Sequence, residues 1–144
     1  MQKRSISNQE IQNQIVYRTD FWSLLLPERP VSPYHLLLLV NRDNVTQFIE
    51  LSDDELINMK TVVSSIVEKI EINDIKLIGY NLFSNNGAYE IGQHLNRFHQ
   101  HIFVRTENET ESPYALMADG RRWAKIGSDE WNSKLEELRE LFNS

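Results

Sequence analysis

One long amphipathic helix stands out in the sequence of this chain. From Leu56 to Ile70, apolar side chains recur at spacings of three or four residues, which is typical of a helix with a single apolar face. Ser52 and Glu55 precede this run at the spacing of a capping box, in which each side chain bonds the backbone N–H of the other residue. The pattern predicts a helix over about residues 53–71. Its apolar face must be buried, and we expect it to pack on a sheet.

Short runs of β-forming residues lie on both sides of this helix. A Thr-Asp pair separates residues 15–17 from residues 21–26, and this arrangement predicts a hairpin. Three further strands are predicted at residues 34–40, 75–84 and 98–105. The polar residues 1–12 are expected to form a loose arm or a short helix, and Ser128 is expected to cap a last helix. This order of elements indicates an α+β fold with a mainly antiparallel sheet.

Composition and charge limit the classes of partner. The net charge of -6 argues against general binding of nucleic acid, which favours a basic surface, but it allows a small basic pocket. The absence of cysteine excludes disulfides and thiolate metal sites, and it is consistent with the reducing cytoplasm, where we expect the protein to be. The first residues lack an apolar signal segment, and the aliphatic run from Leu36 to Val40 is too short to span a membrane, so no membrane partner is expected.

Three of the four histidines are concentrated in one short segment, between Gly92 and Arg105. His99 and His101 are separated by one residue, so in a strand their side chains point to the same face. Arg97 precedes them on that face, although it could instead form a structural ion pair with a glutamate. Two imidazoles beside a guanidinium suit an anionic ligand such as phosphate. A neutral imidazole can also attack phosphorus, because its pKa lies near working pH.

Other interpretations of the histidines stay open at this level. A single histidine on a strand is usually a surface or core residue. His94, His99 and His101 could together bind zinc, although the nearby acids show no spacing typical of metal ligands. His35, at the start of an aliphatic strand, could be buried and bonded to a carbonyl, could support the site, or both. The acidic run 107–111 is expected to be a solvated loop.

A turn-rich loop from Asn85 to Gly92 leads directly into the histidine segment. It contains two glycines, but neither a Walker lysine pattern nor a Gly-x-Gly-x-x-Gly turn is present. Its position is therefore more informative than its composition. We expect the loop amides, with Asn85, Asn86 and Gln93, to reach an anion held by His99.

Several of these segments, in this order, resemble the histidine-triad (HIT) superfamily of nucleotide hydrolases and transferases. The signature of that family is His-φ-His-φ-His-φ-φ, where φ is apolar, preceded by a Gly-Gln pair. Here Gly92-Gln93 stands at the right distance, and the same register runs from Arg97 to Phe103. The segment from Leu26 to Leu37 resembles the family's Pro-x-x-Pro-Gly-His-x-Leu region, and Asn85-Asn86-Gly87 is similar to its Asn-x-Gly loop. The resemblance covers about residues 16–105.

The resemblance implies a five-stranded antiparallel sheet with helices on one side. It implies one domain over residues 1–144, with a core at about 13–105 and a C-terminal extension at 106–144. A two-fold homodimer whose paired sheets form the core is also implied. The expected partner is a small nucleotide substrate, and no cofactor or metal is expected.

The resemblance also implies a mechanism. His99, by its position in the triad, attacks the α-phosphorus of a nucleotide to form a nucleotidyl-histidine intermediate, and water then releases a nucleoside monophosphate. His101 binds the phosphate oxygens, and a backbone carbonyl near Arg97 holds His99 in the attacking tautomer. His35 matches the family's upstream histidine, and Gln93 with an asparagine of the loop contacts phosphate. The alternative is a HIT-fold module that binds a nucleotide or phosphorylated ligand without turnover.

The sequence also departs from the family pattern. Arg97 stands in place of the first histidine, and Gln100 in place of an apolar residue that faces the core. His94 follows the Gly-Gln pair where Ser or Thr is usual, and we expect it to protonate the leaving group. Leu24 and Pro27 occupy the positions where a ribose-binding side chain is expected. These departures predict a substrate with more anionic character, or a different leaving group, than is usual.

One expectation concerns the C-terminal extension. Trp123 and the last helix are expected to cover the pocket or to extend the dimer.

Overall fold

In the part of the chain that the structure describes, the fold is a five-stranded antiparallel sheet with two α-helices on each face. The structure, a computed structural model, describes residues 2–73, 75–118 and 126–143, so Trp123 lies outside the described residues. The elements are α1 (Asn8–Gln14), β1 (Ile15–Arg18), β2 (Trp22–Leu25), β3 (His35–Val40), α2 (Asp53–Ile72), β4 (Leu77–Phe83), β5 (His99–Thr106), α3 (Pro113–Ala118) and α4 (Ser128–Asn143). The strand order is β1-β2-β3-β5-β4, and all pairs are antiparallel. The predicted fold class is confirmed.

The start of α2 is fixed by the predicted capping box. The Ser52 hydroxyl accepts a hydrogen bond from the Glu55 N–H at 3.1 Å, and the Glu55 carboxylate accepts one from the Ser52 N–H at 2.8 Å. The guanidinium of Arg42 donates to both oxygens of this carboxylate, at 2.9 Å and 2.6 Å. These bonds hold the pKa of Glu55 at about 2, chiefly through Arg42. Glu55 is therefore a buried anion that joins the helix to the end of β3.

The main core lies between the sheet and the helices α2 and α4. One face of β2, β3 and β5 contributes aliphatic side chains, which alternate with those of the opposite face. The indole of Trp22 is completely buried there, and its N–H donates to the Glu55 carbonyl at 2.9 Å. The residues that α2 and α4 bury in this core are Met59, Val62, Val63, Ile66, Ile70, Leu135, Leu138, Leu141 and Phe142. Of the described helices, none is long and apolar enough to cross a membrane.

The opposite face of the sheet is also covered, which corrects the expectation of helices on one side only. Ile11 of α1 packs on Leu25, Leu37 and Leu39. Leu116 of α3 packs on a neighbouring apolar cluster at the far end of β5. We call this side of the sheet the histidine face, because His35, His99 and His101 lie on it. On this face His35 and His99 are buried, and His101 is partly exposed.

The acidic run 107–111 was expected to be a solvated loop, and this expectation is wrong in part. The Glu109 carboxylate accepts hydrogen bonds from the buried Arg105 side chain at 3.0 Å and from the Thr106 N–H at 2.7 Å. Arg105 also donates to the Asn81 side chain and to the Glu111 carbonyl. A buried arginine needs these acceptors, because an unpaired buried charge is strongly unfavourable. The run closes the end of β5.

The last helix begins at Ser128 itself, one residue earlier than a Ser128 cap would allow. Its first turn is closed by the Trp131 N–H, which donates to the Gly127 carbonyl at 2.9 Å. The Trp131 indole donates to the Pro27 carbonyl at 2.9 Å, and the Tyr34 hydroxyl donates to Glu137 at 3.1 Å. These bonds dock α4 against the segment between β2 and β3.

We expect Glu55→Ala to lower the free energy of unfolding by about 2 kcal/mol, because it removes both the cap and the partner of Arg42. Asp54→Ala is the matched control, since Asp54 is an exposed carboxylate in the same turn of the helix. It should cost less than about 1 kcal/mol. Urea unfolding followed by circular dichroism measures both values. Equal losses in the two variants would contradict the role given to Glu55.

Candidate functional site

Pairing between β3 and β5 brings three histidines together on the histidine face. His35 lies opposite Phe103, Leu37 opposite His101, and Leu39 opposite His99. The rings of His99 and His101 pack edge to face with their centroids 5.3 Å apart, so the two side chains share a face as the alternation predicted. The chain positions of His35 and His101 differ by 66 residues, yet their ring nitrogens are 3.0 Å apart.

The hydrogen bonds of His35 determine the protonation of both rings in this pair. The Val31 N–H donates to His35 Nδ1 at 3.1 Å, so this nitrogen is an acceptor and the hydrogen of a neutral ring lies on Nε2. Nε2 then donates to His101 Nδ1, which leaves the hydrogen of His101 on its own Nε2. His35 is completely buried and is bonded to an N–H, not to the carbonyl that the sequence suggested. The result is an N–H donor at His101 Nε2.

His99 is held in the opposite tautomer. Its Nδ1 lies 2.9 Å from the backbone carbonyl of Arg97, which can only accept a hydrogen bond. The hydrogen of a neutral His99 is therefore on Nδ1, and Nε2 carries a lone pair. The two neighbouring imidazoles thus offer different groups, a nitrogen lone pair on His99 and a hydrogen-bond donor on His101.

Burial keeps these imidazoles neutral. Burial lowers the pKa of His35 to about 3 and is the main cause of the lowered pKa of His99. The hydrogen bond to the Arg97 carbonyl opposes this shift of the His99 pKa, and the charge of His94 adds to it. The pKa of His101 also lies well below its usual value, first through burial and then through the charges of His35 and His99. A neutral ring is the form in which an imidazole acts as a nucleophile.

His94 lies outside this hydrogen-bonded group. Its exposed ring packs against Tyr89, with the centroids 4.2 Å apart. It is close enough for its charge to affect His99, but no hydrogen bond between described residues joins its side chain to the other histidines. The zinc site considered from sequence is not formed, since no group of three or more His, Cys, Asp or Glu residues with metal-site geometry exists in the described ranges.

Gln93 closes the loop that precedes the histidine strand. Its side chain is completely buried, and its oxygen accepts from the Gly87 N–H at 2.8 Å and from Lys3 Nζ at 3.1 Å. Its nitrogen donates to the Thr46 carbonyl at 2.6 Å. Gln93 therefore joins three separate segments of the chain. These hydrogen bonds close the loop and attach it to the N-terminal residues and to the segment before α2.

The side chains of the two asparagines of the loop also form hydrogen bonds with backbone groups of the protein. The Asn85 side chain donates to the Gly92 carbonyl at 3.2 Å, and the Asn86 side chain accepts from the Phe48 N–H at 2.7 Å. Gly92 has φ +109, and a Cβ there would lie 2.7 Å from the Asn85 side-chain nitrogen, so glycine is required. The structure thus assigns structural contacts to both asparagines.

The N-terminal residues contact this loop, which the sequence did not predict. Arg4 forms a parallel bridge with Leu95, in which the Arg4 N–H donates to the His94 carbonyl at 2.7 Å and the Asn96 N–H donates to the Arg4 carbonyl at 2.8 Å. This pairing places Lys3 beside Gln93. A polar N-terminal arm carries no local signal for a contact of this kind, because the partner is about ninety residues away.

Arg97 uses its backbone and its side chain for different purposes. Its carbonyl orients His99, while its guanidinium lies 3.4 Å from the Val40 carbonyl and lines a groove with Arg18, Ser23 and Asn41. The side chain therefore extends toward β3 and β2. The sequence placed it on the histidine face but could not give this direction.

Comparison with protein families identifies the family of this chain. Residues 8–108 match the family model of the HIT domain. The chain belongs to the HIT family. No curated protein matches its sequence at a significant level. The match includes the loop, α1 and both strands that carry His35, His99 and His101.

Solved structures share the fold of this HIT protein at low sequence identity. A hypothetical histidine triad nucleotide-binding protein from Sulfolobus tokodaii superposes with a TM-score of 0.69 and 21% identity, over 90% of this chain and 83% of that one. Diadenosine triphosphate hydrolase from Plasmodium falciparum, in complex with cyclomarin A, superposes with a TM-score of 0.62 and 16% identity, over 96% of this chain and 79% of that one. The NitFhit protein of C. elegans superposes with a TM-score of 0.67 and 17% identity, over 90% of this chain but only 27% of that one.

We expect the protein to lose stability as the pH falls from about 7 to about 5. The unfolded imidazole of His35 takes up a proton near its usual pKa, whereas the folded pKa is about 3, so the unfolded state binds more protons in this interval. The free energy of unfolding should fall by about 1.4 kcal/mol per pH unit for each histidine that stays neutral in the fold. Urea unfolding at a series of pH values measures the slope.

His35→Asn removes one such histidine and should reduce that slope. His94→Asn is the matched control, because His94 is exposed. A slope that responds equally to both substitutions would contradict the assignment of buried, neutral imidazoles.

Proposed function

We propose that this protein is a nucleotide hydrolase or nucleotidyl transferase that acts through a nucleotidyl-histidine intermediate on His99. The substrate is a nucleoside phosphate derivative or a dinucleoside polyphosphate. The observation that carries the proposal is the contact between His99 Nδ1 and the Arg97 carbonyl at 2.9 Å. This contact leaves a lone pair on Nε2 of a ring that burial keeps neutral.

The reaction has two steps that balance. The lone pair of His99 Nε2 attacks the α-phosphorus, a P–N bond forms, and the bond from phosphorus to the leaving group breaks with its electron pair. Water then attacks the same phosphorus and loses a proton to solvent, and the P–N bond breaks to restore the neutral imidazole. The product is a nucleoside monophosphate, or a transferred nucleotidyl group when another acceptor replaces water.

Other residues support this chemistry by charge and hydrogen bonding. We assign His101 Nε2–H as a donor to a phosphate oxygen, with His35 fixing its tautomer through the 3.0 Å contact. We assign His94 as the acid that protonates the leaving group, since it is exposed and near His99. The side-chain nitrogens of Asn85 and Gln93 each carry a second hydrogen, so their contact with phosphate stays a prediction.

Fold similarity supports the class of substrate. The structure that resembles this chain from Plasmodium falciparum is a diadenosine triphosphate hydrolase, and the one from Sulfolobus tokodaii is described as nucleotide-binding. Both are similar to this chain over most of its length. These descriptions belong to those proteins, and they make dinucleoside polyphosphates the first compounds to test here.

We further propose that two copies of the chain pair through β4. This strand lies at the edge of the sheet, so the backbone groups on its outer side are available to another strand. Ile78, Tyr80 and Leu82 are exposed there by 58%, 50% and 48%. A second copy would bury these apolar side chains and continue the sheet across a two-fold axis.

His99→Ala should abolish turnover, by at least about a thousandfold, and remove the covalent adduct, because no other lone pair takes its place. The measurement uses a panel of dinucleoside polyphosphates and nucleoside phosphoramidates, with mass spectrometry of the adduct and circular dichroism of the variant. His94→Ala is the comparison variant, which should keep the adduct and slow release of poor leaving groups by about a hundredfold.

Binding of these compounds without turnover or adduct in the native protein would overturn the enzyme proposal. It would identify the chain as a HIT-fold module that binds a nucleotide or phosphorylated ligand.

Light scattering after gel filtration should show a particle of twice the chain mass for the native protein. Leu82→Glu should shift it to the monomer, because it places a charge in the proposed apolar contact. Ile57→Glu is the control, since Ile57 is 66% exposed but its neighbour Asn58 bonds Thr19 at the β1–β2 turn, away from β4. A native monomer, or loss of the dimer in both variants, would contradict pairing through β4.

A further inference from the structure

A polar groove lies on the histidine face, two strands away from His99. It has a volume of about 340 Å³ and is bounded by the start of α1 on one side and by the sheet on the other. Two arginines line it, Arg97 from the segment before β5 and Arg18 from the end of β1. We call it the basic groove, defined by Arg18, Arg97, Ser23 and Asn41.

The register of the sheet relates the basic groove to His99. Arg18 pairs with Ser23, Ser23 with Leu39, and Leu39 with His99, so these residues form one row across four strands. Neighbouring strands are about 4.8 Å apart, which puts the backbone of Ser23 about 10 Å from that of His99. The side chain of Arg97 spans part of this interval on its way to the Val40 carbonyl. The groove thus lies two strands from His99, and Arg97 joins it to the segment that precedes the histidine strand.

The two guanidiniums of the basic groove lack an ion-pair partner among the described residues. Neither Arg18 nor Arg97 forms an ion pair with any residue that the structure describes, whereas Arg42 and Arg105 both do. Asp43 contributes one carboxylate at the exposed rim, so the lining carries a net positive charge in a protein whose net charge is -6. The Ser23 hydroxyl donates to Asn41 at 2.8 Å and can still accept. The guanidiniums remain the strongest donors for an anion.

We propose that the basic groove binds an anionic group of the substrate that lies beyond the phosphate attacked by His99. The group is a second phosphate, or a short phosphate chain, carried by the leaving group. Arg18 and Arg97 bind it as charged hydrogen-bond donors. This inference rests on the proposed function, and it names the feature that selects the substrate: a leaving group with further negative charge.

The first test measures binding and needs no turnover. Calorimetry at low salt compares inorganic tripolyphosphate with orthophosphate on the native protein, Arg18→Gln, Arg97→Gln and Lys60→Gln. Lys60 is the matched control, because it is an exposed cation on α2, on the other side of the sheet. Each arginine substitution should weaken tripolyphosphate binding about tenfold, and Lys60→Gln should not weaken it. Arg97→Gln keeps the backbone carbonyl that orients His99.

The second test uses the reaction. Arg18→Gln should raise KM for a dinucleoside tetraphosphate about ten times more than KM for a nucleoside phosphoramidate with an uncharged leaving group. Two results would contradict the role proposed for the basic groove: an equal change of KM for the two compounds, or an equal loss of tripolyphosphate binding in Lys60→Gln. Neither result would affect the proposed adduct on His99. Orthophosphate that binds as tightly as tripolyphosphate would also contradict that role, since the groove would then hold a free anion.

Failure of the proposed function has a different signature. Tripolyphosphate binding that weakens in both arginine variants, without turnover or adduct on His99, would remove the reaction and keep the groove as an anion site.

Discussion

The pairing of β3 with β5 is the constraint on which the site depends. Its register sets His35 opposite Phe103 and thereby brings the ring of His35 within 3.0 Å of His101. A slip of one residue would turn the histidines of β5 toward α2 and place Phe98 and Ile102 on the histidine face, because side chains alternate along a strand. The hydrophobic core under α2 opposes such a slip, since those aromatic and aliphatic side chains are completely buried there. The main core therefore also holds the histidines in the register that brings them together.

Burial on both faces of the sheet gives the histidines their chemical character. With α2 and α4 on one side and α1 and α3 on the other, the imidazoles have little water around them and their pKa values fall. Neutral rings can then be distinguished by their hydrogen bonds: a carbonyl fixes His99, and an N–H fixes His35. His99 thereby presents a nitrogen lone pair, and the adjacent His101 presents an N–H. The cost is stability at acid pH, because these rings resist protonation in the fold.

The segment around Arg97 shows how backbone and side chain can be separated in function. The group that orients His99 is a carbonyl, which every residue supplies, so the residue type at this position is not restricted by that bond. The guanidinium is then available elsewhere, and it reaches the groove shared with Arg18. The proposals for catalysis and for substrate selection thus use two different parts of one residue.

The sequence by itself determined the local elements and the shared face of His99 and His101. Three features are properties of a few neighbouring residues: the capping box at Ser52, the apolar period of α2 and the alternation of β5. They could therefore be predicted from the sequence without knowledge of the tertiary structure. Only the tertiary structure decided what depends on distant pairs: the contact of His35 with His101, the closure of the loop by Gln93 and Lys3, and the direction of the Arg97 side chain. These contacts join residues far apart in the chain. Local periodicity carries no information about them, because they arise from strand register and from burial between layers.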